Sequence, residues 1–161
     1  MKHLLLVLLS FSLVAQSPKE KIQVTDLLKI KTAGKPLVSP KGNQFIYTVT
    51  SIVDDPEKKN DFVYQTHLYL GNLLTGESRV LTSGKYSIAS PVWSPDGSKI
   101  AFSRDMGAKS QVYVLDLAGG EPQAITSVPF AASNPIWSAD GKGIYFQSSF
   151  SLKEFLADSV Y

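Results

Sequence analysis

The chain has 161 residues, enough for one ordinary domain, and its 43% hydrophobic content is that of a folded globular protein. A formal net charge of +2 gives no electrostatic reason to expect a nucleic acid or an anionic membrane as a partner. Because cysteine is absent, the sequence excludes cysteine nucleophiles, thiolate metal sites, disulfides and the acylated cysteine of a bacterial lipoprotein.

Residues 1–15 predict a signal peptide. Lys2 gives a basic start, and Leu4–Val14 is an apolar stretch of 11 residues, whereas a bilayer-spanning helix needs about 20. Ala15 ends this stretch with a small residue before the polar Gln16. The alternative, an apolar N-terminal strand, does not account for this order of charge, apolar core and polar stop. We therefore expect cleavage after Ala15 and a periplasmic or secreted protein without membrane attachment after signal removal.

Residues 16–35 predict a lead-in segment with one short helix. Thr25 is placed to cap a helix over Asp26–Lys31, and Gly34 is placed to end it. We expect this segment to lie against the domain that follows.

Two pairs of segments repeat at the same spacing of 44 residues. The segment "PVWSPDGSKIAFSR" from Pro91 agrees with "PIWSADGKGIYFQS" from Pro135 at seven of 14 positions. The segment "HLYLGNLLTGESRVLTSG" from His67 shares Tyr, Leu, Gly, Glu, Thr and Ser with "QVYVLDLAGGEPQAITSV" from Gln111. A degenerate third copy, "PLVSPKGNQFIYTV", starts at Pro36. Because separate segments share one spacing, the repeat is a true period.

Each repeat predicts two β-hairpins, and four short antiparallel strands per 44 residues are typical of a β-propeller blade. The strands "KIAF" and "VYVLDL" are apolar on both faces, as expected where neighbouring blades cover both faces. We therefore predict an all-β fold, a partial β-propeller of about two and a half four-stranded blades. The incomplete propeller covers residues 36–161, with blades over about 36–84, 91–128 and 135–161, the last one partial.

The repeated turns raise the question of a ligand site. Trp93 and Trp137 recur at one blade position, where core packing between blades is favoured over a ligand platform. Asp96 and Asp140 precede the turn glycines, and we interpret them as turn residues that bond their own backbone. The alternative, metal ligation, needs several oxygen ligands, and one Asp per turn is too few.

The last residues predict a departure from the blade pattern. Ser151 and Glu154 form a capping box for a short helix that contains Leu152, Phe155 and Leu156. Closed propellers have about four to eight blades. We therefore expect the sequence to be a fragment of a longer protein and the isolated chain not to be a compact soluble monomer.

These repeats carry a family resemblance. The segments "SPVWSPDGSKIAFSRD" and "QVYVLDLAGGEPQAIT" resemble the propeller repeat shared by TolB-like proteins and the prolyl oligopeptidase family of serine peptidases. The lead-in "TDLLKIKTAGKPLVSPKGNQFIYTVT" and the charged insert over residues 51–66 are similar to the start of exported bacterial peptidases of that family. The dipeptidyl-peptidase and acylaminoacyl-peptidase branch fits best, and the resemblance covers Val24–Tyr161.

The resemblance to the peptidase family implies a propeller that precedes an α/β-hydrolase domain and admits only short or unfolded peptides. The implied partners are this C-terminal hydrolase domain and peptide substrates. The family's G-x-S-x-G elbow is absent here, so His67 is interpreted as structural and Glu154 as a helix cap. We therefore predict no catalytic, cofactor-binding or metal-binding residue in this chain. The alternative function is a non-enzymatic, TolB-like propeller scaffold that binds envelope proteins.

Overall fold

The computed structural model describes residues 21–107, 109–153 and 156. The predicted signal peptide and Glu154 of the predicted capping box lie outside these residues. Within them, no helix combines the length and the hydropathy required to cross a bilayer. The elements are a 3₁₀ helix (Val24–Lys29) and the strands β1 (Lys31–Ala33), β2 (Leu37–Val38), β3 (Gln44–Asp54), β4 (Phe62–Asn72), β5 (Ser78–Val80), β6 (Ile88–Trp93), β7 (Lys99–Asp105), β8 (Ser110–Asp116), β9 (Gln123–Ala124), β10 (Ala131–Trp137) and β11 (Ile144–Ser149).

Blade two is the predicted four-stranded antiparallel blade, with strand order β6-β7-β8-β9. Its sequence favours strands because it is rich in β-branched and aromatic residues between tight turns. Ile100 and Ala101 are neighbours on β7, point to opposite faces of the sheet and are both fully buried. Both faces of the blade are therefore covered, as the apolar pattern of its strands predicted.

Blade three repeats the backbone register of blade two. Trp137 lies opposite Ile144 in the β10–β11 pair, just as Trp93 lies opposite Ile100 in the β6–β7 pair. Each pair also contains a β-bulge at the same distance before its tryptophan. The period of 44 residues thus holds for strand pairing as well as for residue identity.

Blade one has five strands, because β1 and β2 both pair with β3 and together take the place of β6. Ala33 lies opposite Val49, and the equivalent pair in blade two, Ile88 and Arg104, lies 55 residues later. The extra length lies in the β3–β4 hairpin, whose strands have 11 residues each against seven in β7 and β8. The hairpin tip at residues 56–61 is exposed.

The predicted bounds of the lead-in helix are wrong. A 3₁₀ helix begins at Val24 and ends at Lys29, and its first turn is held by Asp26, whose carboxylate accepts from the Gln23 amide at 2.8 Å. Lys31 belongs instead to β1, which is fixed by pairing with the distant strand β3. Gly34 does not end the helix but lies beside β3, where an added Cβ would be 2.3 Å from Thr48 Oγ1.

The hydrophobic core lies mainly between blades one and two. Ile46 and Leu68 of blade one and Ile100 and Phe102 of blade two are fully buried in one cluster, and Trp93 packs against it. Burial of side chains of this size contributes about 1.5–3 kcal/mol each. Trp93 therefore serves packing between blades, as predicted.

At the other end of the described chain, Leu152, Lys153 and Leu156 are helical. The predicted departure from the strand pattern after blade three is therefore confirmed for these residues.

Candidate functional site

In the Ser-Pro-Asp-Gly turn of blade two, the carboxylate of Asp96 is hydrogen-bonded by residues of the same turn. Asp96 Oδ1 accepts from the Ser94 hydroxyl at 2.6 Å, and Oδ2 accepts from the Ser98 hydroxyl at 2.7 Å. These hydrogen bonds, with that from Ser94 the strongest, hold the pKa of Asp96 well below its usual range. Gly97 completes the turn with a φ of +66°. Both carboxylate oxygens are thus occupied within the turn, as the turn interpretation predicted.

The equivalent turns of the other blades repeat this arrangement. In blade three, Asp140 Oδ1 accepts from the Ser138 hydroxyl at 2.6 Å and from the Lys142 amide at 3.1 Å. Blade one has Lys41 instead of an aspartate, and its amide donates to Ser39 Oγ at 3.2 Å. Across the described ranges, no group of three or more His, Asp or Glu side chains is placed to hold a metal ion. The turns therefore stabilise their own hairpins through local hydrogen bonds.

His67 lies on β4, half-buried and opposite Val49. Its Nδ1 atom is buried and has no hydrogen-bond partner in the described part of the chain. Burial, and after it the positive charge of Arg104, lowers the pKa of His67, while the backbone of Gly84 opposes this shift. The ring is therefore neutral at pH 7, and its Nδ1 contacts no nucleophile that a general base would activate.

The inner strands of blades two and three carry a feature that the sequence did not reveal. Ser90 and Asn134 lie in the β-bulges of β6 and β10 with φ values of +50° and +49°, which non-glycine residues rarely adopt. The Ser90 hydroxyl donates to Asn134 Oδ1 at 2.6 Å, and Asn134 Nδ2 donates to Gln147 Oε1 at 2.5 Å. Equivalent positions of successive repeats are thus linked directly, and only the shared spacing of 44 residues could have pointed to them.

The best candidate for a functional site is a groove of about 950 Å³ between blades two and three. The Asp96 and Asp140 turns lie at one end of it. Its apolar walls are formed by blade two and blade three, and the residues that line them are Val114, Ile125, Trp137, Ile144 and Phe146. Charged side chains, among them Asp116, Glu121 and Lys142, also line the groove, so it combines apolar walls with polar groups, as binding sites commonly do.

The indole of Trp137 marks an incomplete part of this blade interface. Trp93 Nε1 donates to the carbonyl of Leu37 in the preceding blade at 2.9 Å. The equivalent atom, Trp137 Nε1, is buried and finds no acceptor among the described residues. An unsatisfied buried donor costs about 1–3 kcal/mol. Trp137 therefore lacks the hydrogen bond by which Trp93 is linked to the preceding blade.

A smaller cavity of about 310 Å³ lies at the opposite end of the blades, beside the long hairpin. Tyr64, Tyr86 and Met106 line it together with acidic side chains. Lys85 already fills part of this region, with Nζ 3.7 Å from the Glu57 carboxylate and 5.1 Å from the centre of the Tyr86 ring. The positive charge of Lys85 thus partly neutralises the acidic side chains that line this cavity.

Comparison with solved structures finds the same architecture in propellers of two kinds of protein. A structure described as TolB from Agrobacterium tumefaciens is 25% identical, with a TM-score of 0.55 over 70% of this chain and 36% of its own. Acylaminoacyl peptidase from Pyrococcus horikoshii is 21% identical, with a TM-score of 0.56 over 74% of this chain and 17% of its own. A protein described as dipeptidyl aminopeptidase IV from Bacteroides ovatus is 16% identical, with a TM-score of 0.54 over 73% and 23%.

This chain thus spans between 17% and 36% of the length of these three structures, and the two peptidases share the fold with it. Among curated proteins no match was found. The family model described as the TolB beta propeller domain matches residues 36–151, which include strands β2 to β11 and the turns described above. The chain therefore belongs to the TolB beta propeller domain family.

Proposed function

We propose that the chain is the N-terminal propeller of an exported serine peptidase and controls the access of short peptides to an α/β-hydrolase domain. The first blade carries this proposal. It combines a short lead-in helix, a degenerate copy of the repeat and a charged hairpin insert, in the order that resembles exported peptidases of the prolyl oligopeptidase family. The structural likeness to an acylaminoacyl peptidase and a dipeptidyl aminopeptidase is compatible with this proposal through the fold alone.

The proposed role of the propeller is size exclusion. Paired strands hold the blade rigid, whereas the exposed tip at residues 56–61 extends beyond the core on one side. In the proposed role this polar tip contributes to a rim that admits extended peptides and excludes folded proteins by size. The proposed partners are therefore the hydrolase domain of the same parent protein and peptide substrates.

The chain itself supplies no nucleophile for such a reaction, because its sequence has no G-x-S-x-G elbow. The catalytic serine would come from the hydrolase domain. Labelling with a fluorophosphonate probe tests this division of roles. We expect the longer protein that contains this propeller to be labelled and the 161-residue chain to remain unlabelled. Labelling of the 161-residue chain, or lack of labelling of the longer protein, would contradict the proposal.

A second candidate function is a non-enzymatic scaffold that binds envelope proteins. It is favoured by the 25% identity to the TolB structure, the highest of the three described above. Further blades without an elbow serine in the longer protein would support this scaffold. If the longer protein does not react with the fluorophosphonate probe but captures envelope proteins in an affinity experiment, its function is the binding of those proteins and not peptide hydrolysis.

A further inference from the structure

Arg104 lies at the interface between blades one and two, both of which have all their strands among the described residues. Its side chain is half-buried and extends from the same face of β7 as Phe102, which is fully buried in the core between these blades. The guanidinium carbon of Arg104 lies 4.7 Å from the centre of the Tyr113 ring and 5.7 Å from that of Phe102. Packing against the two rings therefore holds the guanidinium group in place.

The positive charge of Arg104 has no counter-ion in the described part of the chain. None of the ion pairs among the described residues includes it, and its buried Nε atom has no hydrogen-bond partner there. The charged side chains of the adjoining segments are engaged elsewhere. Lys85 pairs with Glu57 at 3.7 Å, and Asp105 accepts from the Gly107 amide at 2.8 Å. Because arginine stays charged and an unpaired charge is costly to bury, an anion beside Arg104 would be stabilised.

The repeat does not require a charge at this position. The register of the inner strands shows that the residues equivalent to Arg104 are Val49 in blade one and Ser148 in blade three. Blade one also contains the equivalent aromatic pair, Tyr47 and Tyr69, with ring centres 5.4 Å apart. The arginine is therefore an addition to the architecture that the blades share.

The Tyr113 hydroxyl is a second donor beside the guanidinium group. It donates to Met106 Sδ at 3.4 Å, and a thioether sulfur is only a weak acceptor. The hydroxyl can therefore turn to a stronger acceptor at little cost. Because the Tyr113 ring packs against the guanidinium group, this O–H and the N–H groups of Arg104 can reach the same small ion.

We propose that Arg104 and Tyr113 form a binding site for a small monovalent anion, a halide or a carboxylate, at the interface between blades one and two. The guanidinium group supplies the positive charge and N–H donors, and the tyrosine supplies one further donor. The bound anion stabilises the contact between the blades, because it compensates a charge that is otherwise unpaired. The proposal goes beyond the proposed function and requires no peptidase activity.

Chloride is the first probe, and the line width of the chloride NMR signal measures its binding. The full chain should broaden this signal, and excess chloride should saturate the effect. Arg104→Met should reduce the excess line width at least about threefold, and Tyr113→Phe, which keeps the ring, at least about 1.5-fold. Arg79→Met is the matched control, since Arg79 is the only other arginine and is exposed on β5. It should change the line width less than about 1.2-fold.

The ring of His67 gives an independent readout on the folded protein. Burial, and after it the positive charge of Arg104, lowers the pKa of His67. A bound anion offsets that charge, so saturating chloride should raise the pKa of His67 towards its ordinary value of 6.5. Arg104→Met should also raise this pKa and should abolish the effect of chloride, whereas Arg79→Met should leave both unchanged. An arginine with a packing role alone would give no effect of chloride in this titration.

Competition distinguishes the two kinds of anion. Displacement of chloride by acetate at a lower concentration than by bromide would assign the site to a carboxylate, and the reverse order would assign it to a halide. Absence of excess broadening, equal line widths in Arg104→Met and Arg79→Met, or a pKa of His67 that chloride does not change would overturn the proposal. Such a failure would leave the proposed function unaffected, because control of peptide access does not depend on this site.

Discussion

Position 111 of blade two and position 67 of blade one differ in how fully their side chains are hydrogen-bonded. Gln111 Oε1 accepts from the Thr126 hydroxyl at 2.7 Å, and Nε2 donates to the carbonyls of Val128 and Phe130, each at 3.1 Å. His67 takes the same place in blade one, yet its buried Nδ1 is unsatisfied among the described residues. The acceptor and donor pattern at this position therefore suits glutamine better than histidine.

We expect His67→Gln to raise the free energy of unfolding at pH 7 by about 0.5–1.5 kcal/mol, because the amide can bond the Thr82 hydroxyl as Gln111 bonds Thr126. The difference should increase on acidification. The pKa of His67 is lowered in the folded state, so the wild-type chain loses stability as the pH falls below the ordinary value of 6.5 towards the folded pKa. Urea unfolding at pH 7 and pH 5 measures both effects.

The reciprocal variant, Gln111→His, serves as the control. It should destabilise blade two at pH 7, because a neutral histidine cannot donate to both loop carbonyls, those of Val128 and Phe130, as Gln111 does. An identical pH dependence of wild type and His67→Gln would contradict the role assigned to His67.

At the scale of elements, β7 and β11 are equivalent in sequence but not in burial. Phe102 on β7 is fully buried between two blades and next to β8. Phe146 on β11 holds the same repeat position and is 40% exposed. The contribution of one motif residue to stability therefore depends on how many neighbouring strands cover it.

Phe102→Ala should lower the free energy of unfolding by about 3–5 kcal/mol, because it removes a ring from a packed core and leaves a cavity. Phe146→Ala is the matched variant at the equivalent position, and we expect it to cost roughly half as much or less, because part of its ring already contacts water. Chemical denaturation of both variants gives the comparison. Equal losses would show that blade three is as fully packed as blade two.

Elements that local hydrogen bonds fix could be predicted from the sequence, whereas elements that depend on distant strands could not. The turns at Asp96 and Asp140 were predictable because a short local motif fixes their hydrogen bonds. Strand β1 was not, because Lys31–Ala33 is extended only through pairing with Val49–Ser51, which lies far away in the chain. The link between Ser90 and Asn134 was also missed, because unlike residue types occupy equivalent bulges.

At the scale of the whole molecule, the period of 44 residues organises three blades, and the first two of them bury a shared core. The predicted four-stranded antiparallel blade is confirmed in blade two, and the five-stranded blade one is an elaboration of it. The groove was beyond prediction, because its walls depend on how blade three packs on blade two. The first 15 residues add a further expectation about the location of the molecule in the cell.

We expect the mature protein to begin at Gln16 and to be exported, because a short apolar stretch after a lysine is recognised as a signal peptide. Expression of the protein with its own N-terminus, followed by cell fractionation and N-terminal sequencing, measures both the location and the cleavage point. Leu8→Arg, which places a charge in the apolar stretch, is the control and should retain the precursor inside the cell. Retention of residues 1–15 in the cellular protein would contradict this expectation.

The long hairpin of blade one has a practical consequence for protein engineering. The first half of blade one precedes its equivalent in blade two by 55 residues, and the second half by 44 residues, yet the pairings within each half correspond. The difference in length between the two blades is therefore absorbed in the outer part of the β3–β4 hairpin and does not reach the core. Residues 56–61 are thus a permissive position for grafting a reporter peptide or an affinity tag without altering the blade beneath it.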